Sequence, residues 1–181
     1  MKYHFDAIEL ISFNVDKAIC EKNDAQPSRK YLGGSSLGSA CARMVQYRYM
    51  QTPVDESKQF PARTLRIFDF GHQIEDMVAK YLTDAGFELK THDSQGGQFG
   101  FSVADDQIKG HIDGVICSGP VPMGYPFLWE NKSANTKKFS EFVRKGVAEA
   151  NPVYAAQIAL YQAYMDLTEN PALFTVMNKD T

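Results

Sequence analysis

Asp113, Glu130 and Lys132 stand in two neighbouring stretches of the sequence that read as β-strands. Asp113 lies within one apolar run, and Glu130 and Lys132 follow another. A Pro- and Gly-rich segment separates the two runs, so we predict two strands that pair with each other. Because side chains alternate along a strand, Glu130 and Lys132 should share one face while Asn131 lies on the other.

This grouping of two carboxylates and one ammonium suits a hard divalent cation. The carboxylates of Asp113 and Glu130 are ligands that Mg²⁺ or Mn²⁺ prefers, with waters and a substrate phosphate completing the shell. Lys132 would hold or help to deprotonate a metal-bound water as it attacks phosphorus, while the metal offsets the charge on the phosphate. These residues therefore predict phosphodiester hydrolysis.

The spacing Glu-x-Lys is common and occurs at three places, so its context has to decide between the copies. The copy at Glu56 lies in a polar loop, and the copy at Glu88 has no acidic residue on a preceding strand. Only the copy at Glu130 follows an apolar lead-in and a strand that carries Asp113. The alternative is a surface hairpin on which Glu130 and Lys132 form a weak ion pair.

Composition predicts one cytosolic domain without a membrane span. The chain has 181 residues, of which 44% are apolar, enough to bury one sizeable core. It contains no apolar run long enough to cross a bilayer and no signal-peptide pattern at its start. Its three cysteines, Cys20, Cys41 and Cys117, are scattered, which argues against a disulfide framework and against a zinc site.

Basic residues are unevenly distributed, although the net charge is −3. Residues 29–68 contain seven basic and two acidic residues, an excess of five. A second basic cluster lies at 137–145. Both clusters could contact phosphates, and solvated helix faces are the alternative explanation.

Periodicity predicts a short N-terminal helix around Ile8–Ile19 and a polar linker that ends at Ser28. A serine-capped helix should run from Ser35 or Ser36 to Met50, followed by a polar loop over 52–61. The remaining predictions are a helix over 62–85, strands over 87–92, 98–103, 108–117 and from 127, helices over 136–145 and 152–167, and a strand over 172–177. The first four strands suggest an antiparallel meander.

Three side chains on the predicted helices could complete the site. Glu75 lies beside the core-facing stripe of its helix, where an ionised group must be paired or bound to metal. Gln157 and Tyr161 are four residues apart and share a helix face.

The ordered set of Glu75, Asp113, the Glu130-Asn131-Lys132 triplet, Gln157 and Tyr161 resembles the PD-(D/E)xK nuclease superfamily. It is similar in particular to the RecB-type branch, which includes lambda-type phage exonucleases and CRISPR-associated exonucleases. The resemblance covers residues 35–177 and implies an α/β fold with a restriction-endonuclease-like core, a central mixed β-sheet flanked by helices. We expect a single nuclease domain over 1–181, with 1–34 as an N-terminal extension. The chain ends soon after a predicted strand, which leaves open that the natural protein continues.

The resemblance also implies roles for individual residues. Asp113, Glu130 and the backbone carbonyl of Asn131 would bind Mg²⁺ or Mn²⁺, with Glu75 supporting the metal and Lys132 the nucleophilic water. His72, three residues before Glu75, is a further candidate ligand. The candidate DNA contacts are Ser36, Arg43 and Arg48 on the helix that resembles the family's substrate-gripping helix, Arg66, and the bracing pair Gln157 and Tyr161. The proline of the family name is absent, since His111 and Ile112 precede Asp113.

The implied function is a metal-dependent DNA exonuclease of phage or bacterial recombination or repair, in the cytoplasm of a bacterium or of a phage-infected host. DNA is the expected partner, a single-strand annealing or recombination protein is a second candidate, and oligomers stay open. The alternatives are an endonuclease of restriction or resolvase type on the same core, and a catalytically inactive DNA-binding module. Some members of the branch carry an iron–sulfur cluster, with one cysteine before the core and three after it. Cys41 could match the first, but nothing after Cys117 supplies the others, so we expect no cluster.

Overall fold

A computed structural model describes residues 2–27, 29–55 and 58–181, with side chains from Ala7 onward. Ser28 of the predicted linker and Glu56 and Ser57 of the predicted polar loop lie outside the described residues. In chain order the elements are α1 (Lys2–Asp24), β1 (Leu32–Gly33), a 3₁₀ turn (Gly34–Ser36), α2 (Ala42–Tyr49), α3 (Ala62–Asp84), β2 (Glu88–Lys90), β3 (Gly100–Val103), β4 (Ile108–His111), β5 (Gly114–Ser118), β6 (Phe127–Ala134), α4 (Thr136–Ala150), α5 (Pro152–Tyr164) and β7 (Leu173–Asn178).

The chain divides into two compact units. The first comprises Met1–Arg29 and Pro53–Gln73, and the second comprises Lys30–Thr52 and Ile74–Thr181. Within the first unit, α1 is 23 residues long rather than the short helix predicted, because no glycine or proline interrupts the sequence from Lys2 to Asp24.

The second unit contains both of the β-sheets. Its four-stranded sheet has the order β2-β5-β6-β7, in which β5 is antiparallel to β2 and β6 while β7 runs parallel to β6. Its three-stranded sheet has the order β1-β4-β3, with β1 parallel and β3 antiparallel to β4. The α/β class, with helices flanking mixed sheets, is thus confirmed, but the described strands form two sheets rather than one central sheet.

The predicted strand 108–117 is interrupted at Ile112 and Asp113, which separate β4 from β5. The N–H of Ile112 donates to the carbonyl of Phe99 at 3.0 Å, and its side chain is fully buried. Because Ile112 is apolar like its neighbours, the sequence pattern does not indicate that the strand is interrupted there. The predicted four-stranded meander is wrong for the same reason, since β4 pairs in one sheet and β5 in the other.

The helices also differ in detail from those predicted. The helix expected from Ser35 begins only at Ala42, after the 3₁₀ turn, and no serine side chain caps it. A Cβ added to Gly38 would lie 2.8 Å from Cβ of Ala156, so the segment before α2 packs tightly on α5 instead of coiling. α4 is kinked at Gly146, whose φ of 73° and ψ of 169° are not helical, so its first helical part ends at Lys145 as predicted and a second part runs on to Ala150.

Both faces of the four-stranded sheet are covered by helices. The cluster on one face consists of Ile74, Val78, Ile116, Phe127 and Trp129. The cluster on the other face consists of Ile112, Leu128, Ile158, Tyr161 and Leu167. Because β6 contributes to both clusters, any charged side chain on β6 has to find a partner inside the protein. No helix in the described part of the chain is both long and apolar enough to span a membrane.

Candidate active site

Asp113 lies at the break between the two sheets. Its Oδ2 accepts a hydrogen bond of 2.7 Å from the backbone N–H of Asn131 on β6. Gly114, which follows it, pairs with Trp129, confirming the predicted pairing of the two strands. The break therefore turns the Asp113 carboxylate toward the middle of β6, beside Glu130 and Lys132.

Glu130 and Lys132 share one face of β6, as predicted. The Nζ of Lys132 donates a hydrogen bond to Oε1 of Glu130 and forms a longer ion pair, at 3.9 Å, with Oδ2 of Asp113. Glu130 is 1% exposed, and its Oε2 has no hydrogen-bond partner among the described residues. One ammonium thus faces two carboxylates, and one buried carboxylate oxygen stays unsatisfied, which is costly in a protein interior.

The side chain of Asn131 lies on the face of β6 opposite to Glu130 and Lys132. Its Oδ1 accepts a hydrogen bond of 2.9 Å from the hydroxyl of Thr175, which in turn accepts one from the indole N–H of Trp129. The backbone carbonyl of Asn131 accepts a hydrogen bond of 3.0 Å from Nζ of Lys132. This carbonyl is therefore on the carboxylate side, where the resemblance implies that it binds a metal.

Glu75 on α3 interacts electrostatically with the same group. Burial, followed by the charge of Asp113, raises the pKa of Glu75 to about 7. Burial also raises the pKa of Glu130 to about 7, with Asp113 and Glu75 acting in the same direction against the ammonium of Lys132. Like charges held close together in a partly desolvated place favour either a proton or a bound cation.

Lys132 remains an ammonium in this environment. Burial lowers its pKa, but the carboxylates of Glu130 and Asp113 outweigh that effect, so the pKa of Lys132 is raised overall. Its Nζ also lies 5.5 Å from the centre of the Tyr154 ring. Sequence analysis did not single out Tyr154, although it lies three residues before Gln157 on the same helix face.

Gln157 and Tyr161 on α5 are buried behind the carboxylates. The Nε2 of Gln157 donates to Oε1 of Glu130 at 2.7 Å, an atom that Lys132 also contacts. Burial, followed by the charge of Glu130, raises the pKa of Tyr161 to about 12, so its hydroxyl stays protonated. Gln157 therefore orients Glu130 directly, as the bracing role implies.

The remaining candidates are Ser36, Arg43 and Arg48 in the second unit and Arg66 and His72 in the first. Arg48 donates from a guanidinium nitrogen to the hydroxyl of Ser36 at 2.9 Å, and Arg43 is exposed on α2. Arg66 and His72 lie on the part of α3 that belongs to the first unit, where Arg66 pairs with Asp16 and His72 is exposed.

The chain has no match among family models, curated proteins or solved structures.

The residues of the site could hold a small divalent cation with help from water. In the described part of the chain, no three His, Cys, Asp or Glu side chains are arranged as a complete metal cage. Magnesium does not need one, because it is commonly bound by one or two carboxylates together with waters and substrate phosphates. Asp113, Glu130 and the Asn131 carbonyl are donors of this kind, and the unsatisfied Oε2 of Glu130 would gain most from a cation.

Replacing Gln157 with leucine should lower the free energy of unfolding by about 1–3 kcal/mol, because the Glu130 carboxylate loses a buried donor. Urea denaturation without divalent cations measures the change. Gln46→Leu, an exposed position on α2, is the matched control and should stay within about 0.5 kcal/mol of wild type. Equal stability of the Gln157→Leu variant and wild type would show that this hydrogen bond does not support Glu130.

Proposed function

We propose that the protein is a Mg²⁺- or Mn²⁺-dependent deoxyribonuclease of the PD-(D/E)xK type, with a restriction-endonuclease-like core. The observation that carries the proposal is the convergence of Asp113, Glu130 and Lys132, together with a buried oxygen of Glu130 that lacks a partner among the described residues. A surface hairpin with an incidental Glu–Lys pair would leave both side chains in water, whereas Glu130 is 1% exposed. The burial therefore favours the site over the hairpin.

In this proposal each residue has a separate task. Asp113, Glu130 and the Asn131 carbonyl would bind the cation, which when bound supplies a Lewis acid and an acidified water. Lys132 holds the attacking water by donating to it and opposes the negative charge that develops on the phosphate. Gln157 keeps Glu130 oriented through its 2.7 Å hydrogen bond.

DNA is the proposed substrate because every charged residue in the segment before and along α2 is basic. Residues 30–52 contain three basic residues, Lys30, Arg43 and Arg48, and no acidic residue. Such a surface contacts phosphates without reading sequence, which suits degradation from an end better than recognition of an internal site. We therefore propose an exonuclease of recombination or repair, with an endonuclease on the same core as the second candidate.

Digestion of matched linear and covalently closed circular DNA tests this proposal. The expected result is Mg²⁺-dependent loss of linear DNA from its ends while closed circles survive. Rapid nicking of closed circles at catalytic protein concentrations would instead establish the endonuclease. Absence of cleavage with either Mg²⁺ or Mn²⁺ would leave only a DNA-binding module and would contradict the nuclease proposal.

Stabilisation by Mg²⁺ should depend on pH. The pKa values of Glu75 and Glu130 are raised from 4.5 to about 7. Protonation of these carboxyls therefore stabilises the folded chain, fully below pH 4.5, and this contribution is lost as the pH rises through about 7. Cation binding requires the deprotonated carboxylates, so millimolar Mg²⁺ should raise the melting temperature more at about pH 8 than at about pH 5.5. Differential scanning fluorimetry measures both shifts.

The variant Glu130→Gln, which cannot ionise, provides the comparison. Its melting temperature should respond less to Mg²⁺ at either pH. A Mg²⁺ shift that is equal at both pH values in wild type would place cation binding away from these carboxylates.

A further inference from the structure

A cleft of about 320 Å³ lies in the second unit, lined by Lys30, Tyr31, Tyr49, Gln51 and Gln107. Its lining residues come from three places in the fold: the segment just before β1, the C-terminal end of α2, and the residue before β4. The lining combines two phenol rings, two carboxamides and one ammonium, and it contains no carboxylate. None of these residues belongs to the site around Asp113.

Two of the lining side chains are held in place by hydrogen bonds. The hydroxyl of Tyr49 contacts Oε1 of Gln107, which orients that carboxamide with its oxygen toward Tyr49. The carbonyl of Gln107 accepts from the N–H of Leu32 at 2.8 Å, which fixes its backbone to β1. Lys109, whose Nζ lies 5.8 Å from the centre of the Tyr31 ring, is paired with the carboxylate of Asp106 at 2.8 Å, so Lys30 is the cation that the cleft itself offers.

Gln51 enters the cleft from a conformation that normally selects glycine. Gln51 has φ 54° and directly follows Met50, the C-cap residue of α2. Its N–H donates to the carbonyl of Arg48, and the N–H of Thr52 donates to the carbonyl of Tyr47. Glycine is the usual residue at this point of such a helix end, because a Cβ is strained there. Backbone strain that is retained at a residue lining a cleft favours a role for the side chain of that residue in binding.

We propose that this cleft binds one unpaired nucleotide of the DNA strand that enters the site, an inference that rests on the proposed nuclease function. Phenol rings stack with bases, carboxamides hydrogen-bond to base edges, and the ammonium group of Lys30 would pair with a phosphate. The protein would thereby prefer ends that carry a single-stranded tail over blunt ends.

β4 and Ile112 join Gln107 at the cleft to Asp113 at the candidate site. From Gln107 to Asp113 the chain advances by six residues, which span at most about 20 Å when extended. A stacked strand rises about 3.4 Å per nucleotide, so the bound nucleotide would lie within about six nucleotides of the scissile bond. The single-stranded tail therefore needs only a few nucleotides to reach both places.

The test is binding, in EDTA, of duplexes whose single-stranded tail carries 2-aminopurine at successive positions. With wild-type protein, fluorescence should change at one or two tail positions, and an abasic site at that position should weaken binding about tenfold. Gln51→Gly should weaken tail binding by a similar factor while leaving blunt-duplex binding unchanged and thermal stability equal or higher. Tyr49→Ala should weaken tail binding as well.

Asp166→Gly is the matched control, because Asp166 is exposed, has φ 55° and follows α5 in the same arrangement. It should not weaken tail binding. Unchanged tail binding in Gln51→Gly or equal affinity for abasic tails would each overturn the proposal. Failure of the nuclease function is seen separately, as absence of Mg²⁺-dependent cleavage by wild type, whatever the binding result in EDTA.

Discussion

Replacing Lys132 with alanine should lower the rate of DNA cleavage on the order of a hundredfold or more while the chain stays folded. The Nζ of Lys132 is the donor that lies between Glu130, Asp113 and the Asn131 carbonyl. Its loss removes both the group that would hold the attacking water and a positive charge near the phosphate. Mg²⁺ should still bind, because the two carboxylates remain.

Lys90→Ala is the matched control for this variant. Lys90 belongs to the other described Glu-x-Lys copy, where it pairs with Glu88 at 3.4 Å and both side chains are more than half exposed. Its removal should leave cleavage unchanged, since exposed pairs of this kind contribute little. A Lys132→Ala variant that cleaves DNA at the wild-type rate would remove Lys132 from the mechanism.

Replacing Asp113 with asparagine should weaken Mn²⁺ binding by about a hundredfold, measured by calorimetry, and should abolish cleavage at ordinary metal concentrations. The amide oxygen of asparagine can still accept the hydrogen bond from the N–H of Asn131, so the break between β4 and β5 should persist. What is lost is the charge, which a hard cation needs most.

Asp105→Asn is the matched control, because Asp105 is exposed and asparagine tolerates its positive φ of 51°. Its affinity for Mn²⁺ should equal that of wild type. If the affinity of Asp113→Asn is also unchanged, the cation binds elsewhere and Asp113 has only a structural role.

The sequence allowed the site to be predicted more closely than the sheets that hold it. Alternation along β6 placed Glu130 and Lys132 on one face, and helical spacing placed Gln157 and Tyr161 on one face of α5, while only the family resemblance implied that this face braces the site. Both predictions depend on local periodicity, which the backbone of a single element enforces. Tyr154 could have been found by extending the same helical spacing by one turn.

The arrangement of the sheets depends on contacts that local patterns do not encode. The change of sheet at Ile112 is made by one hydrogen bond to Phe99 and by burial of an apolar side chain within an apolar run. The late start of α2 depends on how closely Gly38 approaches Ala156, which are far apart in the sequence. In both cases tertiary packing overrides a plausible local reading.

The most direct test of the account measures the cleavage rate of an end-labelled linear duplex without divalent cations and with Mg²⁺, Mn²⁺ or Ca²⁺. Wild type should cleave with Mg²⁺ or Mn²⁺ and not without a divalent cation, and Asp113→Asn and Lys132→Ala should each cleave more slowly on the order of a hundredfold or more at matched protein concentrations. Cleavage by wild type that persists in EDTA, or that is retained in both variants, would contradict a metal-dependent site built from Asp113, Glu130 and Lys132.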